Sequence, residues 1–267
     1  MPSVKANGVE IFYREEGKGF PVLMGHSLVL DGEMFEPQAK ALSKKYQVIR
    51  LDFRCHGLSE KVSKPFTLED YRDDVFAVAD ALKIGQFHWV GLSQGGMTGM
   101  RMALQRPERL VGLVLLDTSA DAENPSTLPQ YKAWAEQSRK MPPNPQTAKM
   151  MLQMTFFSPQ FLAANPAVFD QYVRKLLAND PEALYHASMA VLDRPSIVGE
   201  LHKITTPTLV MVGEKDTATV PAKSEQIHRA IEGSALEKIP GAAHISTLEN
   251  PEFVNEKLLT FFAGWES

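Results

Sequence analysis

The sequence has 267 residues, of which 28 are Lys or Arg and 32 are Asp or Glu, giving a formal net charge of −4. With 44% hydrophobic and 22% charged residues, the composition is that of an ordinary globular protein of one or two domains. A mildly acidic chain without a basic stripe is poorly suited to bind nucleic acid or an anionic membrane surface, so we expect neither as a partner.

The first part of the chain alternates short β-rich runs with amphipathic helical stretches. Apolar and polar side chains alternate over residues 9–14, which predicts a half-exposed strand. Four compact apolar runs predict strands buried on both faces of a parallel sheet. These runs are residues 22–24, 46–51, 87–92 and 110–116. Between them, helices are predicted over residues 67–82, with Thr67 and Asp70 placed as in a capping box, and from residue 94 to about 105.

Residues 121–200 have a different composition. They hold nine of the 18 prolines but only one of the 17 glycines, and they carry no strand pattern. Helical stretches at residues 131–140 and 167–178 are separated by prolines. We therefore predict several short helices inserted between two parts of one core, residues 1–120 and 201–267. The insertion is either a plain helical decoration or a lid over an active site.

The alternation of strands and helices resumes in the last quarter of the chain. Residues 208–213 and 235–239 predict strands, and residues 220–231 and 251–265 predict helices. Strands and helices that alternate along a chain are the signature of a parallel sheet covered by helices. The sequence therefore predicts an α/β fold with a mostly parallel sheet flanked by helices.

The sharpest local motif is the segment GLSQG at residues 91–95, directly between a predicted strand and a predicted helix. In a nucleophile elbow, small residues allow a strand to turn abruptly into a helix and hold the serine in a strained, exposed position. The start of that helix also offers unpaired N–H groups, including that of Gln94, to a developing oxyanion. The segment predicts Ser93 as a nucleophile, although an incidental serine in a glycine-rich turn has the same local sequence.

A serine nucleophile needs a general base, and that base needs an orienting carboxylate. Of the seven histidines, His244 lies in a small-residue loop after the last predicted strand, at the sheet edge where parallel folds place their chemistry. Asp216 and Asp117 each follow a predicted strand at the same edge, and Glu214 is a weaker alternative. Position alone leaves both aspartates as candidates for the acid.

Four motifs occur together in this sequence: GLSQGG at 91–96, VGEKD at 212–216, GAAH at 241–244 and DFRCHGLS at 52–59. The first three stand in the chain order of the α/β-hydrolase superfamily, and the fourth is similar to the D-x-R-G-H-G-x-S loop of that family. The resemblance implies that Asp216, rather than Asp117, completes a catalytic triad with Ser93 and His244. It covers the whole chain except residues 121–200, where the family inserts its helical cap. An α/β-hydrolase fold with a helical lid is therefore implied.

The same resemblance extends to the oxyanion loop. The family's loop is matched by MGHSL at residues 24–28, which implies the backbone N–H of Leu28 as an oxyanion donor beside that of Gln94. This sequence has Ser27 where the family usually has glycine. Because glycine permits backbone angles that are unfavourable for serine, the Ser27 substitution limits the conformations that this loop can adopt.

Within the superfamily, HSL at residues 26–28 and GLSQGGMTG at residues 91–99 are most similar to 3-oxoadipate enol-lactonases and small esterases. This resemblance implies a serine hydrolase that cleaves a small ester or lactone through an acyl-enzyme intermediate, with a carboxylated enol-lactone among the substrates. Two alternatives stay open on the same fold. One is a cofactor-free carbon–carbon bond hydrolase or perhydrolase, and the other is a small-molecule sensor with little turnover.

The expected partner is a small-molecule substrate bound between the lid and the core. We expect its pocket to include His26, Ser27, Trp134 and Met154, with apolar side chains from the lid and with polarity chiefly from the elbow and the oxyanion loop. A buried substrate carboxylate needs a basic partner. The candidates for that partner are Arg54, Arg139, Lys140, Arg174 and Lys175.

The remaining signals concern cofactors and location. No cluster of His, Cys and carboxylate residues has metal-ligand spacing and no phosphate-binding loop is present, so we expect neither a metal nor a cofactor. The single cysteine, Cys55, permits no internal disulfide and fits a reducing compartment, and we expect it to be buried. The first residues carry no apolar signal segment, so we expect a cytoplasmic protein. The sequence gives no signal for an oligomeric state.

Overall fold

One sheet of eight strands forms the centre of the protein in the computed structural model, which describes residues 2–265. The strands are β1 Ser3–Ala6, β2 Val9–Glu16, β3 Phe20–Gly25, β4 Tyr46–Leu51, β5 Phe87–Leu92, β6 Leu110–Leu116, β7 Thr208–Gly213 and β8 Ala235–Ile239. Their order is β1-β2-β4-β3-β5-β6-β7-β8, with β2 antiparallel to both neighbours and every other pairing parallel. The predicted α/β architecture with a mostly parallel sheet is therefore confirmed.

Helices cover the sheet on both faces. Those in the described part of the chain are α1 Glu36–Leu42, α2 Leu68–Ala81, α3 Gln94–Gln105, α4 Leu128–Lys140, α5 Pro145–Thr155, α6 Pro159–Ala164, α7 Pro166–Leu177, α8 Pro181–Leu192, α9 Pro221–Ala230, α10 Ser246–Glu249 and α11 Pro251–Ala263. Short 3-10 helices occur at Gly32–Phe35, Pro107–Arg109 and Val198–Lys203. None of the helices in this part of the chain combines the length and apolar character needed to cross a membrane.

Side chains of the central strands alternate between two apolar layers. Leu23 and Trp89 pack in the layer that includes α2 and α3, whereas Val22 and Val90 pack in the layer that includes α1 and α11. Because both faces of these strands are buried, their sequences are continuous apolar runs rather than alternating ones. The parallel sheet also brings the carboxyl ends of β3, β5, β6 and β7 to one edge, where the candidate site lies.

The segment between β6 and β7, residues 121–200, contains helices α4 to α8 and, throughout its described residues, no strand. We call this segment the lid. Every one of these helices has a proline within its first two positions. A proline is tolerated there because the first N–H groups of a helix have no partner within the helix. Five of the nine prolines of the lid thus lie at helix starts.

Candidate active site

Ser93 lies where β5 ends and α3 begins, with backbone angles φ 55° and ψ −114°. A positive φ is strained for any residue with a Cβ, as a nucleophile elbow requires. The turn needs glycine on both sides of Ser93. A Cβ on Gly91 would lie 2.2 Å from the Gly95 carbonyl oxygen, and a Cβ on Gly95 would lie 2.0 Å from the Gly25 carbonyl oxygen. The segment GLSQG therefore forms the sharp strand-to-helix turn that its sequence predicts.

The backbone of Ser93 is fixed by the neighbouring strand. Its N–H donates to the carbonyl oxygen of Leu116 at 2.9 Å, and its own carbonyl oxygen accepts the Thr118 hydroxyl at 2.7 Å. The Ser93 hydroxyl makes no hydrogen bond to any residue that the structure describes. Bonds between a nucleophile and its base often tighten only when substrate is present. The hydroxyl is therefore available to both a base and a substrate.

His244 follows β8 and contacts Asp216, which follows β7. His244 Nδ1 lies 3.0 Å from Asp216 Oδ2, and both side chains are almost fully buried. The Phe156 ring packs against the imidazole in a T-shaped arrangement, with ring centroids 5.6 Å apart. When Nδ1 carries the proton donated to Asp216, Nε2 is the nitrogen that can accept another. The structure thus brings the predicted base and acid together.

Asp216 is held in place by hydrogen bonds from its own turn. Its carboxylate accepts the N–H groups of Ala218 at 2.8 Å and Thr219 at 3.0 Å, and the Thr219 hydroxyl at 2.8 Å. Burial alone would raise the pKa of Asp216, but the adjacent His244 and the Thr219 bonds outweigh burial, so this pKa lies below its ordinary value. Asp216 is therefore ionised at neutral pH. Thr219 was not among the predicted site residues, because its only signal in the sequence is its place in a turn after an aspartate.

The two alternative acids have other partners. Asp117 is fully buried at the end of β6, where it accepts the Gly213 N–H at 2.8 Å and the Ser246 hydroxyl at 2.5 Å. Burial and the nearby Asp216 raise the pKa of Asp117 well above its ordinary value. Glu214 accepts the Gly241 N–H at 3.0 Å. Asp216 is the carboxylate that contacts the imidazole.

The two predicted oxyanion donors are the backbone N–H groups of Leu28 and Gln94. Neither N–H donates to any residue that the structure describes, and Gln94 is the first residue of α3, where helical N–H groups lack partners. The strained residue of the oxyanion loop is Val29, with φ 64°, and not Ser27. The loop therefore accommodates serine at the family's glycine position without placing it at a positive φ.

A cavity of about 590 Å³ connects these groups. Ser93, His244 and Leu28 all line it, together with Ser27 from the oxyanion loop and Phe156 from the lid. A hydroxyl at a helix start, an imidazole with an ionised partner and the residue that carries the unpaired Leu28 N–H thus line one space, and Gln94 directly follows Ser93 in the chain. These are the groups needed for nucleophilic attack on a carbonyl carbon.

Four charged side chains that the sequence analysis did not single out also line this cavity. Asp121 and Glu123 come from the loop after β6, Arg194 from the chain just after α8, and Lys223 from the first turn of α9. Lys223 Nζ lies 2.6 Å from Asp121 Oδ2, and Arg194 Nη1 lies 3.4 Å from Glu123 Oε2. The expectation that pocket polarity comes chiefly from the elbow and oxyanion loop is therefore wrong. The four residues belong to three separate segments of the chain, so no local sequence motif predicts that they line one cavity.

Three of the four side chains expected in the pocket lie elsewhere. His26 is fully buried behind the oxyanion loop, where its Nε2 accepts the Phe53 N–H at 2.9 Å. Trp134 is 53% exposed and Met154 is 71% exposed, and neither lines the cavity. The helices that carry Trp134 and Met154 have apolar residues on their outward faces as well as on their inward ones. Helical spacing alone therefore gave a wrong prediction for these two side chains. Only Ser27 lies where it was expected.

None of the five basic residues expected to meet a substrate carboxylate lines this cavity. Arg54 is buried in a bidentate pair with Asp74, at 2.5 and 2.6 Å, and Lys175 is paired with acidic residues of the loop before α1. The other three lie on lid helices and are Arg139, Lys140 and Arg174. Arg194 and Lys223 are the cations that line the cavity instead.

Two further expectations concern metal ions and the cysteine. Within residues 2–265, no three or more His, Cys, Asp or Glu side chains are grouped so as to hold a metal ion. Cys55 is free and buried, as expected, in the loop after β4. Its φ is 68°, so it stands at a position that favours glycine.

Comparison with known proteins shows similarity over most of the chain. The profile of the alpha/beta hydrolase fold matches residues 21–251. The 3-oxoadipate enol-lactonase 2 of Acinetobacter baylyi is 29% identical over 234 residues, which cover 88% of this chain and 85% of that protein. The crystal structure of the enol-lactonase from Burkholderia xenovorans LB400 matches with a TM-score of 0.91 at 28% identity, covering 98% of this chain and 100% of that one. A malate-bound thermophilic esterase from Thermogutta terrifontis matches with a TM-score of 0.94 at 28% identity, covering 100% of both chains.

Proposed function

The chain belongs to the alpha/beta hydrolase family, and on that premise we propose that it is a serine hydrolase of small esters or lactones. One observation carries the proposal: Ser93 and His244 line the same cavity, and His244 is hydrogen-bonded to the buried, ionised Asp216. The similarity to enol-lactonases and to an esterase supports the same class of bond. The role of each residue follows from its chemistry.

In the first half-reaction the Ser93 oxygen attacks the carbonyl carbon of the substrate while His244 Nε2 takes the hydroxyl proton. Asp216 holds the imidazole in the required tautomer and stabilises the imidazolium that forms. The N–H groups of Leu28 and Gln94 donate to the negative oxygen of the tetrahedral intermediate. The bond to the leaving oxygen then breaks, His244 gives that oxygen its proton, and an acyl ester on Ser93 remains.

The second half-reaction releases the acyl group by the same steps with water as the nucleophile. His244 takes a proton from water as the water oxygen attacks the acyl carbon. The intermediate collapses, the Ser93 oxygen recovers its proton from His244, and a carboxylic acid leaves. With a lactone, the alcohol and the acid are parts of one product molecule.

The cavity supports a substrate that carries an acid group. Arg194 and Lys223 are the cations in its wall, each paired with a carboxylate, so the charges balance. The contact from Arg194 to Glu123 is long, at 3.4 Å, so a substrate carboxylate can replace Glu123 with a shorter charge-assisted bond. We propose that residues 121–200 act as the lid on a core of residues 1–120 and 201–267, with a carboxylated ester or enol-lactone bound between them.

The test compares turnover of wild type with that of two serine variants. Ser93→Ala is expected to lower kcat for an aryl acetate by about 10³-fold or more. Ser224→Ala is the matched control, because it removes the hydroxyl of a buried serine on α9 outside the cavity, and its kcat stays at the wild-type value. Wild-type turnover by Ser93→Ala would overturn the serine mechanism.

The substrate class is tested with a panel of neutral aryl esters, neutral lactones and carboxylated enol-lactones, ranked by kcat/KM. We expect the carboxylated lactones to rank first. A preference of about a hundredfold for neutral esters, equivalent to about 2.7 kcal/mol in transition-state binding, would remove the carboxylate from the proposal and leave a plain esterase.

A further inference from the structure

The loop that carries the Leu28 N–H is in direct contact with the lid. Asn179, just after α7, donates its Nδ2 to the carbonyl oxygen of Val29 at 3.0 Å. That carbonyl belongs to the residue directly after Leu28, so the bond acts next to the proposed oxyanion donor. The same Nδ2 lies 3.1 Å from the Lys175 carbonyl oxygen and 3.2 Å from that of Leu176, which ties the amide to the end of α7.

Val29 needs support because its backbone is strained. Its φ is 64°, a value that is unusual for any residue with a Cβ and most unfavourable for a β-branched one. The turn around it is closed by a hydrogen bond from the Leu30 N–H to the Ser27 carbonyl oxygen at 3.3 Å. Strain of this kind costs about 1 to 3 kcal/mol and persists only where the surrounding contacts over-determine the conformation. The bond from Asn179 is one such contact.

A second lid side chain fixes the residues that follow. Lys175 Nζ lies 2.5 Å from Asp31 Oδ2 and 2.7 Å from Glu33 Oε2, and the side chains of Lys175 and Asp31 are 18% and 12% exposed. Asp31 also accepts the Glu33 N–H and so caps the 3-10 helix Gly32–Phe35. Because the Lys175–Asp31 pair is largely shielded from water, salt and solvent screen it less than the exposed pairs elsewhere on the lid.

We propose that Asn179 and Lys175 are positioning residues, through which the docking of α7 on the core sets the turn at residues 27–30 and hence the direction of the Leu28 N–H. The inference rests on the proposed function, because it takes that N–H as an oxyanion donor. If α7 moves away, Val29 is free to relax to a negative φ and the donor turns. The oxyanion hole then assembles only when the lid is docked on the core.

The test uses an isosteric change in Asn179. Asn179→Asp replaces the Nδ2 donor with an oxygen that cannot donate to Val29. Asn165→Asp is the matched control, because Asn165 donates Nδ2 to the Phe161 carbonyl at 3.0 Å within the lid and makes no contact with the oxyanion loop. Two readouts are compared with wild type: kcat and KM for an aryl ester, and hydrogen exchange of the peptide containing residues 27–33.

The expected result separates kcat from KM. Loss of one oxyanion donor lowers kcat by about 10² to 10³, so partial misplacement by Asn179→Asp is expected to lower kcat by about tenfold to a hundredfold, with KM within about twofold. Exchange of residues 27–33 is expected to rise. Asn165→Asp is expected to change neither readout. Equal kcat values for the two variants, whether both high or both low, would overturn the positioning role.

Lys175 provides an independent arm of the same test. Lys175→Met removes the ammonium group, and Lys175→Arg restores a cation, so the loss of kcat in the first variant is expected to be recovered in the second. Lys149→Met is the control, because Lys149 pairs with Asp170 within the lid at 3.2 Å. Failure of the proposed function is visible separately, as turnover that survives Ser93→Ala. Failure of the positioning role is visible as Lys175→Met matching Lys149→Met in an enzyme that depends on Ser93.

Discussion

The pKa values of two buried carboxyl groups, Asp216 and Asp117, are shifted in opposite directions. Asp216 accepts three hydrogen bonds from its turn and contacts the imidazole, so its pKa is low. Asp117 lies close to that negative charge without a cation of its own, so burial and Asp216 raise its pKa. A negative charge on one of two neighbouring carboxyls disfavours a second charge on the other. The two environments therefore favour the ionised form of Asp216 and the protonated form of Asp117.

The first residue-scale prediction concerns Asp216→Asn. An amide can donate to Nδ1 and so stabilises the wrong imidazole tautomer, which leaves Nε2 protonated and unable to act as a base. We expect kcat for an aryl ester to fall by about 10⁴ with KM little changed. Glu214→Gln, on the same turn, is the control and is expected to stay within about twofold of wild type. Asp216→Asn with more than a tenth of wild-type kcat would show that the contact with His244 is not needed.

The second residue-scale prediction concerns the pH dependence of stability in Asp117→Asn. Because the pKa of Asp117 is raised in the folded state, the folded protein releases this proton at a higher pH than the unfolded chain, which releases it at about pH 4. The group therefore lowers the stability of wild type as pH rises above about 4. The amide has no proton to release. We therefore expect the free energy of unfolding of the variant, relative to wild type, to increase between pH 4 and pH 7 in urea denaturation. A relative decrease over that range would show that Asp117 is ionised in the folded protein.

At the scale of elements, the elbow depends on close approach between β3, β5 and the start of α3. A Cβ on Gly95 would lie 2.0 Å from the carbonyl oxygen of Gly25, and a backbone atom cannot move aside as a side chain can. We predict that Gly95→Ala lowers the free energy of unfolding by about 2 to 3 kcal/mol and also lowers kcat, because the elbow must shift.

The control for that prediction is Gly85→Ala, since a Cβ there meets nothing within 4 Å and φ is not positive. It is expected to leave kcat unchanged and to keep or slightly raise stability, because alanine restricts the unfolded chain. The test is to measure thermal unfolding and ester turnover for both variants. Equal stability of the two variants would show that the close approach of β3 to Gly95 does not restrict the residue at that position.

The strands and the elbow could be predicted from sequence because their signals are local. Strands β4 to β8 lie at the predicted positions, since burial on both faces gives compact apolar runs. The Thr67 and Asp70 capping box is also confirmed, with Thr67 N–H donating to Asp70 at 2.8 Å. The predicted similarity to enol-lactonases is confirmed by the match to two enol-lactonases.

Other elements could not be predicted because nothing local marks them. Strand β1 has four residues at the edge of the sheet, mostly exposed, so its sequence carries no apolar run. Helices α5, α6 and α8 begin at prolines, which in the sequence look like interruptions. Arg194 and Lys223 both line the cavity although 28 residues separate them in the sequence. Residues that are brought together only by tertiary packing leave no periodic pattern in the sequence.

At the scale of the whole molecule, the cavity is built jointly by core and lid. The core supplies Ser93 and His244, and the lid supplies Phe156 and Arg194. Contacts between the two parts include the N–H of Ile245, which donates to the Phe156 carbonyl oxygen at 3.1 Å. The core thus supplies the nucleophile and the base, and the proposed function assigns the selection of substrates to the lid.

Arg194→Met tests this division of roles. A charge-assisted bond contributes about 1.5 to 3 kcal/mol, so its loss is expected to lower kcat/KM for a carboxylated lactone by about tenfold to a hundredfold. For a neutral aryl ester we expect a change within about threefold, because the reacting groups are untouched. Arg174→Met, on an exposed face of α7, is the control and is expected to change neither value. Equal losses for both substrates would show that Arg194 supports the fold and not the substrate.

Active-site titration determines whether turnover proceeds through a covalent bond to Ser93. The protein is treated with increasing amounts of an aryl phosphonate ester, residual ester turnover is measured, and the label is located by peptide mass spectrometry. We predict that turnover falls in proportion to labelling, reaches zero at one label per chain, and that the label lies on Ser93. Turnover that persists at full labelling, or a label on another residue, would contradict the mechanism.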